Sequence, residues 1–259
     1  MPLIYEPAGK AREYSPLALN LYMGCTHRCK YCYVPRCCHK EESSYWEKPS
    51  PRKAVYELEK ELLKSKPVKQ VLFSFIGDPY TESSDDNAVT RFALEKLLEY
   101  KVPVAILTKG GKRCLKDIDI FKKFGEHIQI GATLTFDNDK DSLEWESGAA
   151  LPGERLETLK NLHDNGIRTF ASFEPVIIPE QSLNLMKKSL DFIDVYKVGK
   201  LNNYRGLDKN IDWTDFLEKT LEILRGAGKQ FYIKHDLRLA APSVRLYGNE
   251  VLADEHNVE

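Results

Sequence analysis

The sequence lacks several features that would each assign it to a class of protein. No uninterrupted apolar run reaches the roughly 18 residues that a membrane-spanning helix needs. The start, MPLIYEPAGK, lacks the apolar core of a signal peptide. Neither charge sign dominates, since 38 Lys and Arg face 39 Asp and Glu, a net charge of −1. We therefore expect a cytoplasmic protein with no membrane partner, and not a polycation that binds nucleic acid through bulk charge.

The composition is that of a globular protein with an apolar core. The chain has 259 residues, of which 42% are apolar and 30% charged. Repeats and low-complexity tracts are absent, and nothing divides the chain in two. We expect a single domain over 1–259, with its core at about 17–235 and a C-terminal extension at about 236–259. That extension is either a capping segment or partly disordered.

Short apolar runs alternate with longer segments of helical periodicity along most of the chain. The predicted strands are 17–23, 71–76, 104–108, 128–135, 168–174 and 192–199, with a seventh candidate at 231–235. The predicted helices lie at about 52–65, 86–100, 115–124, 151–166, 181–191 and 213–226. This alternation is typical of βαβ units and a parallel sheet. The Pro- and charge-rich stretch 39–53 is interpreted as an elaborated loop.

Cysteine is the unusual residue of this sequence. Five of the six cysteines fall within fourteen residues, at Cys25, Cys29, Cys32, Cys37 and Cys38. A disulfide framework would spread its cysteines over a short secreted chain, so this bunching indicates metal or redox chemistry. Three thiolates with the spacing Cys-x3-Cys-x2-Cys can surround one metal centre and leave one position open. The alternative is a structural zinc site with His27, Cys37, Cys38 or His39 as fourth ligand.

The first three cysteines and their surroundings resemble a known family. Cys-x3-Cys-x-aromatic-Cys directly after a first strand, with Tyr31 as the aromatic residue, resembles the radical S-adenosylmethionine (SAM) superfamily. Similarity to its spore photoproduct lyase-like branch runs from about 17 to 200. It is carried by GDPYTE (77–82), NAVTRFALEKL (87–97), ILTKGGKRCLKDIDIFKKF (106–124), EWESGAALPGERLETLKNLHDNGI (144–167) and FEPVIIP (173–179).

This resemblance implies an α/β fold, a partial (β/α)6 TIM-like barrel with the cluster loop after the first strand. It implies a [4Fe–4S] cluster held by Cys25, Cys29 and Cys32, with SAM on the remaining iron. It further implies an external one-electron reductant of the flavodoxin or ferredoxin type. Reductive cleavage of SAM would give a 5′-deoxyadenosyl radical that abstracts hydrogen from a substrate. That substrate is a nucleic-acid base, a nucleotide or a peptide.

The resemblance also implies a set of SAM contacts near the carboxyl ends of the strands. Gly77 and Asp78 match the place that holds the methionine amino group, and Lys109 suits the SAM carboxylate. Tyr31, Thr133, Thr135, Glu146 and Arg155 complete the predicted cofactor-binding set. Each has a structural alternative. Gly77 and Asp78 would form an ordinary strand-end turn, and Lys109 would be a surface lysine. Thr133 and Thr135 would reflect the β propensity of threonine, and Arg155 would lie on a solvated helix face.

Three residues are the candidates for catalysis. Glu174, at the end of the fifth strand, either contacts substrate or pairs with Lys197, Lys200 or Lys234. Cys37 and Cys38 are hydrogen donors, ligands of a second metal, or inert. The place of the branch's donor cysteine is taken by Ile76, which cannot donate hydrogen.

Two classes of function remain open from the sequence. The favoured one is a radical SAM enzyme, and the alternative is a non-catalytic zinc or iron–sulfur binding module. A methyltransferase-like variant is a third hypothesis. The basic cluster Lys109, Lys112, Arg113, Lys116, Lys122 and Lys123 either contacts phosphates or is solvated.

Overall fold

The computed structural model describes residues 2–201, 204 and 206–251. The strands are β1 (Ile4–Tyr5), β2 (Leu17–Leu19), β3 (Tyr22–Met23), β4 (Ser50–Pro51), β5 (Val71–Phe73), β6 (Val104–Thr108), β7 (Ile128–Thr133), β8 (Arg168–Phe173), β9 (Val195–Val198) and β10 (Gln230–Ile233). The α-helices are α1 (Val34–Cys37), α2 (Glu42–Glu47), α3 (Leu58–Lys64), α4 (Ala88–Glu99), α5 (Ile118–Phe124), α6 (Asp139–Trp145), α7 (Pro152–Asp164), α8 (Pro179–Ser189), α9 (Trp213–Gly226), α10 (His235–Ala240) and α11 (Gly248–Val251). Short 3₁₀ helices cover Gly9–Glu13, Lys53–Glu57, Gly111–Asp117, Gly125–His127 and Leu207–Asn210.

The main sheet is parallel and does not close on itself. Its strand order is β1-β2-β5-β6-β7-β8-β9-β10. The edge strand β1 runs antiparallel to β2, and every other pair in the sheet is parallel. Within the described residues β1 and β10 are the two edge strands and do not pair with each other, so the predicted partial α/β barrel is confirmed, including its seventh candidate strand.

Side-chain alternation along the strands separates a helix-covered outside from a small interior. On β9, Tyr196 and Val198 pack outward with the helices, whereas Lys197 between them belongs to the interior. Leu72 of β5 and Ala105 of β6 face inward, where they pack against Tyr14. Among the residues that the structure describes, none of the helices combines the length and apolar character that crossing a membrane requires.

Helix boundaries follow from local chemistry. Helix α7 begins with Pro152, which has no N–H to leave unpaired, and the chain leaves it through Gly166 at a φ of +76°. The side chain of Asp212 caps α9 by accepting hydrogen bonds from the backbone of Thr214 and Asp215, at 3.1 and 3.0 Å. Both helices lie where the periodicity predicts them.

The structure corrects several predicted boundaries. The predicted strand 71–76 ends at Phe73, and the predicted strand 192–199 begins at Val195. The predicted strand 17–23 is interrupted, since its end leaves the main sheet as β3 and pairs antiparallel with β4. The predicted strand 128–135 ends at Thr133. The predicted helix 52–65 begins as a 3₁₀ turn. In the C-terminal extension, α10 and α11 pack onto the fold through buried Leu237 and Glu250, while 252–259 lie outside the described residues.

Candidate functional site

A large cavity opens at the carboxyl ends of the parallel strands. Its volume is about 630 Å³, within the range of small-molecule sites. The loop between β3 and α1 lies over one side, and late strands and the N-terminal segment form the other. The sequence-predicted residues that line it are Cys25, Cys29, Tyr31, Cys32, Cys37, Gly77, Asp78, Lys109, Thr133 and Glu174. Cys38, Thr135, Glu146 and Arg155 are not among the lining residues.

Two glycines bring the cysteine loop close to the end of β5. Gly24 has a φ of +97° and Gly77 a φ of +73°, which side chains rarely tolerate. A Cβ on Gly77 would come within 2.5 Å of the Gly24 carbonyl oxygen, and a Cβ on Gly24 within 2.8 Å of that of Tyr45. The loop therefore enters the cavity only because both positions lack a side chain.

Cys25, Cys29 and Cys32 share one wall of the cavity. The Cys32 amide donates to the Cys29 carbonyl at 3.0 Å, and the Cys25 amide donates to the Tyr45 carbonyl at 3.1 Å. Burial is the main cause that raises the thiol pKa to about 12 for Cys25 and Cys29 and to about 11 for Cys32. Neighbouring thiolates add to each shift, so the three sulfurs form one group that a positive metal centre would stabilise as thiolates.

The arrangement of these thiols bears on which metal centre they fit. Among the described residues, no three His, Cys, Asp or Glu side chains converge closely enough to hold one metal ion. A structural zinc ion needs four ligands around a single point. An iron–sulfur cluster is larger and is held by thiolates spread around it. Three cavity-facing thiols on one loop are a donor set of the kind that holds iron–sulfur clusters.

Asp78 ties the ends of β5 and β6 to the cysteine loop. Its carboxylate accepts hydrogen bonds from Thr108 Oγ1 at 2.6 Å, from the Lys109 amide at 2.8 Å and from the Tyr80 amide at 2.8 Å. His27 Nδ1 lies 3.4 Å from the same carboxylate. Burial lowers the pKa of His27 to about 4, so its imidazole is neutral near pH 7. Asp78 thus lines the cavity, but most of the hydrogen bonds that its carboxylate accepts come from residues at the ends of β5 and β6.

Lys109 is a cation of the cavity lining that acts on the charges of Cys29 and Cys32. Its ammonium lies 5.4 Å from the centre of the Tyr31 ring and 4.0 Å from Glu146 Oε1. Burial opposes its charge, but the neighbouring Cys29 and Glu146 outweigh burial and raise the pKa of Lys109. A cation that stays charged inside a cavity is suited to bind a carboxylate.

Glu146 and Arg155 form a buried ion pair behind the cavity wall. Arg155 Nη2 donates to Glu146 at 2.5 Å, and Arg155 also donates to the carbonyls of Thr133 and Ala150 at 3.0 and 2.7 Å. The Tyr31 hydroxyl donates to the Glu146 carboxylate. Despite burial, Arg155 and Lys109 hold the pKa of Glu146 below its usual value. The pair orients Tyr31 and Lys109 from behind, and its direct contact with a cofactor stays a prediction.

The segment that carries Glu146 also clamps the cysteine loop. Cys29 and Glu146 form an isolated antiparallel bridge, and the Lys30 amide donates to the Trp145 carbonyl at 2.8 Å. On the other side, the Ala150 amide donates to the Lys109 carbonyl at 2.9 Å. One short stretch, 145–150, therefore fixes both the loop and the end of β6.

Thr133 and Thr135, two of the predicted cofactor contacts, occupy different places although strand alternation over 128–135 would put both side chains on one face. Thr133 is the last residue of β7 and lines the cavity. Thr135 lies beyond the strand end, where its hydroxyl donates to Glu146 at 3.2 Å. Strict alternation fails because the strand ends between them.

At the far side of the cavity, Glu174 is paired with Lys234, one of its three predicted partners. The Lys234 ammonium contacts the Glu174 carboxylate, which also accepts a hydrogen bond from Tyr14 at 2.9 Å. Glu174 nevertheless lines the cavity, so pairing and substrate contact are compatible. Tyr14 had no sequence signal, because it lies in an aperiodic stretch and its partner is 160 residues away.

The vicinal cysteines differ in position. Cys37 is exposed and lines the cavity at the end of α1, whereas Cys38 is half-buried and lies outside it. Burial raises the pKa of Cys38. Of the two, only Cys37 is placed to meet a cavity occupant.

Three members of the predicted basic cluster have partners within the fold. Arg113 donates to the Tyr80 carbonyl and lies beside His27, and Lys116 contacts Asp86. Lys109 lines the cavity, with its ammonium 4.0 Å from Glu146 Oε1. Contact between the cluster and phosphates stays a prediction.

The fold defines a class: an incomplete parallel α/β barrel whose site lies at the carboxyl ends of its strands. The chain matches the Radical SAM superfamily over residues 19–193, well over half its length. This chain belongs to the radical SAM superfamily, whose members use a [4Fe–4S] cluster and SAM.

Individual proteins and solved structures are similar to this chain. The uncharacterized protein MJ0683 of Methanocaldococcus jannaschii is 33% identical over 162 residues, which span 61% of this chain and 60% of that protein. SuiB of Streptococcus suis, solved with S-adenosylmethionine, has a similar fold with a TM-score of 0.64 at 17% identity, over 89% of this chain and 53% of SuiB. A mutant of spore photoproduct lyase has a TM-score of 0.64 at 10% identity, over 88% of this chain and 78% of the lyase. The chain thus spans little more than half of MJ0683 and SuiB.

Proposed function

We propose that this chain is a radical SAM enzyme in which Cys25, Cys29 and Cys32 hold a [4Fe–4S] cluster. The observation that carries the proposal is the convergence of these three thiols and Lys109 on one cavity at the strand ends. When bound and reduced by a flavodoxin- or ferredoxin-type donor, the cluster would split SAM and supply a 5′-deoxyadenosyl radical that abstracts hydrogen from the substrate.

The residues around the cysteines would hold SAM. Lys109 supplies the positive charge for its carboxylate, and Gly77 lets the backbone at the end of β5 approach the methionine part closely. Thr133 presents a hydroxyl toward the same space. Glu146 and Arg155 contribute by fixing Tyr31 and Lys109.

We infer that the reacting part of the substrate is uncharged. Lysines on the far side of the cavity are each matched with a carboxylate: Lys10 with Asp236, Lys200 with Asp208, and Lys234 with Glu174. These pairs offset the positive charge of the three lysines that line this side of the cavity. Aromatic side chains, including Tyr14, Tyr33 and Phe75, line the cavity and provide faces on which a planar base can stack. A nucleobase with its phosphates outside the cavity fits these features.

Product analysis after anaerobic reconstitution tests the proposed reaction. The protein is loaded with iron and sulfide, reduced with dithionite and incubated with SAM. We expect 5′-deoxyadenosine and methionine as products. S-adenosylhomocysteine would instead indicate a methyltransferase-like variant. Intact SAM in the presence of a fully assembled cluster would reject the enzyme and favour a binding module.

Cys37 is the proposed hydrogen donor because it is the vicinal cysteine that lines the cavity. In D₂O its thiol carries deuterium, so a radical formed nearby would take that atom, giving deuterated 5′-deoxyadenosine and a thiyl radical. With dithionite and no added thiols, we expect Cys37→Ala to lose most of this incorporation. The matched control is Cys38→Ala, which should retain it. Equal incorporation in wild type and Cys37→Ala would remove Cys37 from this role.

A further inference from the structure

The N-terminal segment 9–14, here called the strap, crosses the gap that the open sheet leaves. It follows β1 and precedes β2 at one edge of the sheet, and its long-range hydrogen bonds are with β8, β9, β10 and residues just after β8 and β10, toward the other edge. The 3₁₀ helix Gly9–Glu13 and Tyr14 make up the strap. It therefore occupies the gap between the two edge strands, where a closed barrel would have strand pairing.

Glu13 anchors the strap to the last strand. Its Oε1 accepts a hydrogen bond from the Tyr232 hydroxyl at 2.7 Å and another from the His235 amide at 2.7 Å. Beside this anchor, Lys10 forms an ion pair with Asp236. Hydrogen bonds to a carboxylate are stronger than those between neutral groups. Side-chain contacts therefore hold the strap against the last strand, where no backbone pairing joins the two edges of the sheet.

Tyr14 carries the strap into the interior. Its carbonyl accepts a hydrogen bond from buried Lys197 at 2.9 Å, and its hydroxyl shares a hydrogen bond with Ser172 at 2.7 Å. The same hydroxyl donates to Glu174, and the Lys234 ammonium lies 4.1 Å from the centre of the Tyr14 ring. The strap thus touches both members of the Glu174–Lys234 pair.

The strap also forms part of the cavity surface. Ala8, just before it, and Lys10, Ala11 and Tyr14 within it line the same cavity as the cysteines. Lys234 is 2% exposed, and Glu13 reaches to within 3.8 Å of its ammonium. Without the strap, this ammonium and its carboxylate partner would face an open side of the barrel.

We propose that the strap is the side wall of the substrate chamber and that Glu13 and Tyr14 are positioning residues for the Glu174–Lys234 pair. The name substrate chamber rests on the proposed function; the wall and the positioning do not. Because the strap closes the lateral gap, a substrate enters through the mouth between the cysteine loop and the late strands. The paired Glu174 and Lys234 then offer a hydrogen-bond acceptor and a donor to an uncharged group.

The accessibility of Lys234 tests this proposal on the reconstituted protein. Methyl acetimidate amidinates accessible lysine side chains, and mass spectrometry measures the extent of modification at each lysine. Modification of Lys234 reports how often the strap separates from the last strand. We expect Glu13→Ala to increase modification of Lys234 at least about tenfold, because it removes two hydrogen bonds to a charged group. Hydrogen exchange at the His235 amide should accelerate in parallel. Glu13→Gln, which keeps an acceptor oxygen, should restore most of the protection.

Asp194 provides a matched control. Its carboxylate accepts one backbone and one hydroxyl hydrogen bond, from the Thr169 amide at 2.7 Å and Thr169 Oγ1 at 3.1 Å, at the opposite end of the strands. Asp194→Ala should lower global stability without exposing Lys234. Unchanged Lys234 reactivity in Glu13→Ala, or an equal increase in both variants, would overturn the proposal. If Glu13→Ala does not fold, Tyr232→Phe removes one anchoring bond and is judged by the same criteria.

The outcome is independent of SAM cleavage. Exposure of Lys234 in Glu13→Ala together with intact SAM in the wild type would reject the proposed enzyme and leave the wall in place. Cleavage of SAM with no effect of Glu13→Ala on Lys234 would support the proposed enzyme and reject the strap as the side wall.

Discussion

Cys29→Ala is expected to yield a protein that assembles no [4Fe–4S] cluster and cleaves no SAM. The variant removes one of three thiols that share the cavity wall, and no other cysteine is placed to replace it among the described residues, since Cys37 lies on α1 at the rim. A cluster left with two protein thiolates loses both a strong bond and the geometry that leaves one iron for SAM. Iron and sulfide content should fall to background.

The control for this variant is Cys114→Ala. Cys114 is fully buried in the apolar layer between the sheet and its helices and does not line the cavity. The two variants each lose one of the six cysteines. Cys114→Ala should keep full iron content and SAM cleavage, with a modest loss of stability from the smaller side chain. Full iron content in Cys29→Ala would disprove the assigned ligand set.

The parts of the site that could be predicted are those set by local spacing. The three cysteines follow the first strand within eight positions, so their proximity needs no knowledge of the rest of the fold. Gly77, Asp78 and Lys109 follow the ends of neighbouring parallel strands, and such ends meet at one edge of the sheet. Sequence order alone therefore places them beside the cysteine loop.

The remaining features depend on contacts between distant parts of the chain. Tyr14 meets Glu174, and Glu13 meets Tyr232, across separations of 160 and 219 residues. No periodicity encodes such contacts, because they depend on how the sheet curves. The positions of Glu146 and Thr135 behind the wall are likewise decided by where β7 ends and how the chain turns after it.

Arg155→Met is expected to lower the free energy of unfolding by about 3–5 kcal/mol, the usual effect of removing one partner of a buried ion pair. Arg155 is 2% exposed and Glu146 1% exposed, so the variant leaves a carboxylate without its main counter-charge in a site that water does not reach. It also removes the hydrogen bonds that Arg155 donates to the carbonyls of Thr133 and Ala150. Denaturant titration of the cluster-free protein measures the loss.

The same segment supplies a control that separates the buried pair from surface charge. Glu144 lies two positions before Glu146 and also pairs with the cysteine loop, through Lys30 at 3.4 Å, but both members of this pair are about half exposed. Glu144→Gln should cost less than about 1 kcal/mol. In the double variant Arg155→Met, Glu146→Leu, no isolated charge remains, so part of the stability should return. SAM affinity should not return with it, because Tyr31 and Lys109 would still lack the carboxylate that orients them. Recovery of both properties together would mean that the pair has no positioning role toward the cofactor.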